Sequence, residues 1–186
     1  MNVVFRVDSS DKIGSGHVMR CLVFAKALRD AGDNIKFVCR DLQGNIIRNL
    51  EESLFETVIL RANASEPLID VGYGAWLGVS QDADANEVIE CLGDSPIDWM
   101  VVDSYALDER WEKRITSLGC RILAIDDLAN RKHQCDVVVD ANYVEGFKRR
   151  YQRIIPSACT ALLGPDYCLI AEKSPRFSAN RLIGES

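Results

Sequence analysis

Histidine is scarce in this chain, with only His17 and His133 among 186 residues. A zinc centre would therefore have to be assembled from cysteines. The seven present (Cys21, Cys39, Cys91, Cys120, Cys135, Cys159 and Cys168) are odd in number and scattered, and no two have C-x-x-C spacing. Reduced, buried thiols of a cytoplasmic protein are the expectation, with no metal. Positive charge is in deficit as well: 22 lysines and arginines stand against 28 acids, a net charge of -6. No basic cluster is long enough to coat a phosphate backbone, which excludes nucleic acid as an expected partner. Long apolar runs are missing too. Met1 to Arg6 leads straight into a polar loop, without a signal-peptide core or a membrane span, so no membrane association is expected. Internal repeats and low-complexity tracts are absent from the sequence.

What is present describes a folded body. Hydrophobic residues make up 47% and charged residues 27%, near the averages of soluble globular proteins. The length suits one domain, expected over 1–170, followed by a polar tail over 171–186. Asn2 to Val7 reads as a strand, and His17 to Ala31 as a helix with Val18, Cys21, Leu22, Ala25 and Leu28 at helical spacing and Gly32 as its stop. The alternation continues: strand Ile35 to Cys39, helix Asn45 to Ser53, strand Thr57 to Leu60, helix Asp84 to Leu92, strand Asp98 to Asp103. Helix Asp108 to Leu118, strand Arg121 to Ile125 and a short strand Val137 to Val139 complete the reading. Trp99-Met100-Val101-Val102 is apolar at consecutive positions, as in a parallel strand covered on both faces. The expected fold class is α/β, a Rossmann-like doubly wound parallel sheet. Ligands of such sheets bind at the carboxyl ends of the strands, here Asp8 to His17, Asp103-Ser104-Tyr105 and Asp126-Asp127.

Gly14-x-Gly16 opening a helix invites a dinucleotide reading. Met19 at the third glycine position and a loop too long for the tight turn oppose it, with only Asp41 in its favour. A P-loop fails because no Gly-Lys-Ser/Thr follows. His17 sits at the first helical turn on the ligand-binding edge. A helix amino terminus disfavours the imidazolium, and the neutral ring is the form a general base needs. The competing reading is an ordinary helix-start histidine, just as Asp103, Asp126 and Asp127 could be turn or cap residues. Tyr105 is placed to orient an imidazole or a sugar hydroxyl. His133, in a polar run, reads as a loop residue.

These residues resemble something specific. Phe5-Arg6-Val7-Asp8-Ser9-Ser10 through Ile13-Gly14-Ser15-Gly16-His17, then Arg20 and Ala25-Lys26, is similar to the opening of the hydrolases that cleave UDP-2,4-diacetamido-2,4,6-trideoxy-β-L-altropyranose in pseudaminic acid biosynthesis, a route to flagellin glycosylation. Trp76-Leu77-Gly78-Val79-Ser80-Gln81, Val102-Asp103-Ser104-Tyr105, Ile125-Asp126-Asp127, His133, Cys135-Asp136 and Leu163-Gly164-Pro165 keep that family's order over roughly residues 1–170. The resemblance implies the amino-terminal half of a GT-B-type protein. His17 would be the base and Tyr105 its helper, with Asp8, Gly14, Gly16, Arg20, Asp103 and Asp127 binding substrate and no cofactor required. It also implies that UDP is held mainly by a second half, separately encoded or fused, outside these residues. Ser104 departs from the histidine usual in relatives, and Ile170-Ala171-Glu172-Lys173 replaces their arginine and acidic-aromatic pair. A glycosyltransferase half and a non-catalytic sugar-binding module are the rival readings.

Overall fold

The computed structural model describes residues 1–62 and 72–169; the expected polar tail lies outside the described residues. In chain order the elements are β1 (Asn2–Val7), α1 (Gly16–Asp30), β2 (Asn34–Arg40), α2 (Ile47–Glu52), β3 (Glu56–Leu60) and α3 (Gln81–Leu92). They continue with β4 (Trp99–Asp103), α4 (Glu109–Ile115), β5 (Arg121–Ile125), β6 (Val137–Asp140) and β7 (Thr160–Leu163). Every pairing is parallel, in the order β3-β2-β1-β4-β5-β6-β7. The chain runs outward from β1 to β3, then returns to lay β4 on the other side of β1. That reversal splays the loops after β1 and β4 apart and opens a crevice between them.

Strand alternation divides the core into two layers. Val3, Phe5 and Val7 of β1 join Phe24, Leu28, Phe37 and Leu50 under α1 and α2, while Val4 joins Met100, Val102, Val88 and Trp111 under α3 and α4. Each fully buried aliphatic or aromatic side chain contributes about 1.5–3 kcal/mol. Phe5 anchors the first layer, stacked on Phe37 at 4.9 Å and edge-on to Phe24 at 5.7 Å.

Several boundaries differ from the sequence reading for local reasons. α3 starts at Gln81 because Ser80 caps it, its hydroxyl accepting from Ala83 N at 3.2 Å. The helix read over 108–118 is α-helical only to Ile115 and tightens into a 3-10 turn, Thr116–Leu118, before Gly119 ends it at φ 73°. β7 was not anticipated. Its four residues are exposed or half-buried, and the crossover from β6 contains only a 3-10 turn at Phe147–Arg149, so no helical period announces it.

Candidate active site

The loop between β1 and α1 folds back on itself. Gly14 N donates to Ser10 O at 2.8 Å, the Ser10 hydroxyl accepts from Ile13 N at 3.0 Å, and Gly14 takes φ 76°, which disfavours any residue with a Cβ. A second loop braces it: Asp11 N donates to Gln43 O at 3.0 Å and Ile46 N to the Ser9 hydroxyl at 2.9 Å. Gly16 has no unusual φ, and a Cβ there would meet nothing within 4 Å, so it borders open space. The turn delivers His17 to the start of α1, buried at 8% exposure.

β4 lies beside β1, and its last residue, Asp103, meets α1 directly. His17 Nδ1 is 2.6 Å from Asp103 Oδ1. A carboxylate can only accept, so Nδ1 is the donor of this bond and Nε2 is the ring nitrogen that Asp103 does not engage; Arg20 Nη2 lies 3.2 Å from the same Nδ1. Arg20, one turn along α1, grips Asp103 with Nε at 2.5 Å and Nη2 at 2.6 Å, and reaches Asp127 Oδ2 with Nη1 at 2.6 Å. The Cys21 thiol donates to Asp103 Oδ2 at 3.4 Å. Burial works to raise the Asp103 carboxyl, but hydrogen bonds from Arg20 and His17 outweigh it and hold the group below the usual carboxylate range. Burial likewise pushes the Cys21 thiol well up, so it stays protonated as a donor.

Tyr105 presents its ring edge-on to His17 at 4.6 Å, while its hydroxyl donates to Asp127 Oδ2 at 2.8 Å. Burial and that carboxylate push the phenol above its usual range, which leaves it a donor rather than a base. Asp103, expected to bind substrate, is 1% exposed, and its oxygens are engaged by His17 and Arg20. Arg20 and Asp127 are hydrogen-bonded to each other, and Asn142 and Arg150 reach Asp127 from beyond β6.

Asp8, His17, Asp103, Ser104 and Tyr105 line one cavity, closed by Ile13, Trp76 and Leu77. Its volume is about 10 Å³, roughly what one water molecule needs. Asp8 is 3% exposed; Oδ1 takes Arg6 Nη1 at 2.6 Å and Arg40 N at 2.7 Å, and Oδ2 has no partner among the described residues. A buried carboxylate oxygen without a donor calls for one from a ligand or solvent. A larger cavity of about 200 Å³, bordered by Asn2, Lys36, Glu56 and Pro96, lies at the opposite, amino-terminal edge, away from these groups.

Sequence reasoning missed the layer beneath. Arg6 is fully buried and forks onto Asp84 with Nη2 at 2.6 Å and Nε at 3.1 Å; Arg40 Nη2 and the Trp111 indole also donate to Asp84, at 2.7 and 2.9 Å. The signal was an arginine inside the apolar run of β1, which has to find a buried partner. Trp76 was quoted only as part of a motif. It walls the cavity and joins Tyr73 and Tyr105 in an aromatic cluster, with centroids 4.7 Å and 6.3 Å away. His133 is indeed in a loop, yet it is buried on Glu112 at 2.7 Å.

An all-parallel α/β unit with its polar cluster at the strand reversal point is the architecture of one half of a GT-B glycosyltransferase-type protein. The structure of MurG from Acinetobacter baumannii, a GT-B glycosyltransferase, matches it with a TM-score of 0.55 at 12% identity, over 87% of this chain and 44% of that one. In sequence the chain is similar to UDP-2,4-diacetamido-2,4,6-trideoxy-β-L-altropyranose hydrolase of Campylobacter jejuni. The two are 29% identical over 175 residues, 93% of this chain and 53% of the relative. The chain thus spans about half the length of the curated relative it matches. No family model matches the chain. The relative is named as an enzyme acting on a UDP-sugar, in line with the resemblance read from the motifs. Among the described residues no helix is long and apolar enough to cross a membrane.

Proposed function

We propose that this chain is the base-carrying, amino-terminal half of a hydrolase that splits the glycosyl-phosphate bond of a UDP-linked 2,4-diacetamido-2,4,6-trideoxy sugar. The observation that supports the proposal is the contact of His17 Nδ1 with Asp103 at 2.6 Å beside a water-sized cavity that His17 lines; in this reading Asp103 holds the ring's proton on Nδ1 and leaves Nε2 to act as the base. In the reaction, the water oxygen bonds to the anomeric carbon from one side while the bond to the UDP oxygen breaks on the other. Water's proton passes to His17 Nε2, UDP departs with the electron pair, and the sugar is released with inverted configuration. Ordinary glycosides need a second, acidic carboxyl to protonate a poor alkoxide leaving group. A nucleoside diphosphate leaves unaided once cations or dipoles receive it, so a single base suffices and no metal or other cofactor enters. Asp8 Oδ2 is assigned to a hydroxyl or amide N–H of the sugar, with open backbone at Gly14 and Gly16 admitting it. UDP is assigned to protein beyond this chain, fused or separately encoded. A place in pseudaminic acid biosynthesis in the cytoplasm follows from the same reading.

The MurG likeness favours one rival, a transferase in which a sugar hydroxyl replaces water, although fold does not fix function. The test is incubation of an assembled enzyme with the UDP-sugar and no acceptor, followed by NMR. Release of UDP with the inverted free sugar is expected. UDP release only when an acceptor sugar is added, or sugar binding without any turnover, would overturn the hydrolase reading.

A further inference from the structure

At the amino ends of the outer strands, on the edge away from His17, two thiols face each other. Cys135 lies just before β6 and Cys159 immediately before β7, whose ladder registers Val137 with Thr160. Thr160 N donates to Asp136 O at 2.9 Å, which holds the two approaches side by side. The sulfurs are 3.6 Å apart, the one sulfur–sulfur hydrogen bond among the described residues. A bonded pair needs about 2.05 Å, so the sulfurs must approach further for a bond to form. Cys135 is buried and Cys159 is half-buried, so solvent reaches Cys159 first. No group of three or more metal-ligating side chains is placed to hold an ion among the described residues, so the pair is not part of such a site.

We propose that Cys159 is a site of oxidation by peroxides and that Cys135 resolves it, converting the pair into a disulfide that joins the starts of β6 and β7. The Cys159 thiolate attacks a peroxide oxygen; the O–O bond breaks, and the leaving oxygen takes a proton to become water or an alcohol. The sulfenic acid formed at Cys159 is then attacked by the Cys135 sulfur. The S–O bond breaks, and hydroxide leaves with the Cys135 proton as a second water. Two thiols lose two electrons in total, and one peroxide gains them. The existing hydrogen bond favours this division of labour. With Cys135 as its donor, this bond draws the Cys159 thiol below its usual range despite burial and, together with burial, raises Cys135. The disulfide would close the 24-residue separation between the two cysteines. That segment includes Arg150 and Tyr151, whose side chains reach Asp127 O, Asp140 and Asp126. Oxidation therefore ties down the crossover that supports the carboxyl ends of β5 and β6.

The test is to treat the chain with hydrogen peroxide, alkylate free thiols, digest without reduction and identify linked peptides by mass spectrometry. A Cys135–Cys159 peptide is the expected main product, with an upward shift in melting temperature that dithiothreitol reverses. In Cys135→Ser, dimedone should trap a sulfenic acid at Cys159; in Cys159→Ser, no intramolecular link should form. Recovery of Cys135 and Cys159 as alkylated thiols from wild type, with oxidation confined to the exposed Cys91 and Cys168, would overturn the proposal.

Discussion

A histidine at a helix start is an ordinary surface residue unless something fixes its ring, and here Asp103 does so, in the proposed reading by holding the proton on Nδ1. Asp103→Asn replaces an acceptor by a group that can donate to Nδ1, which turns the lone pair away from the cavity. In an active assembly, turnover is expected to fall by about two orders of magnitude or more, as read by UDP release, with the fold retained in circular dichroism. Tyr105→Phe keeps the ring edge on His17 and loses only the bond to Asp127. It is expected to cost about 0.5–1.5 kcal/mol of stability, measured by chemical denaturation, and to change turnover little. Tyr105→Ala, which removes the ring, should impair turnover more. His17, Tyr105, Asp103 and Asp127 were legible in the sequence because strand ends of a parallel sheet are where polar residues gather. Their pairings were not. Which carboxylate meets which cation depends on β4 lying beside β1, and strand order is not written in local periodicity.

At the scale of elements, β1, β5 and the long stretches of α1 and α3 were readable because their apolar spacing is strong. β7 and the split end of α4 were not, since short, half-exposed segments have no period to detect. The polar layer under the site was equally hidden: Arg6, Arg40, Asp8 and Asp84 come from β1, β2, the loop after β1 and α3. These buried charges compensate one another. Burial opposes the charged form of Arg6, and Asp8 and Asp84 overcome it, holding the guanidinium charged. Asp84→Ala would leave two buried cations short of an anion and is expected to cost about 3–5 kcal/mol, read as a lowered denaturation midpoint. A midpoint within error of wild type would mean that water reaches this layer.

For the whole molecule, the two histidines divide their work. His133 is buried between Glu112 and Asp126. Burial alone would lower its pKa, but the neighbouring Asp126 carboxylate and the hydrogen bond to Glu112 push it up to about 9. A histidine raised on folding stabilises most below its unfolded value of 6.5, and that contribution fades as pH rises through about 9. Thermal unfolding should therefore show stability falling across this window, and His133→Gln should flatten the fall. UDP titrated into this chain alone is expected to give no micromolar binding by calorimetry, because the diphosphate is assigned to protein beyond it. Loss of that remote binding energy should depress turnover as well as affinity.

The central claim concerns His17, and one comparison tests it most directly: UDP release by an active assembly, such as this chain joined to the remaining half of its Campylobacter relative, with His17 intact or replaced by Asn. Asparagine keeps a polar side chain of similar reach but cannot take water's proton. Turnover is predicted to fall by about two to four orders of magnitude with substrate affinity little changed. Turnover of His17→Asn within a few-fold of wild type would contradict the base assignment and leave His17 a buried helix-start residue held by Asp103.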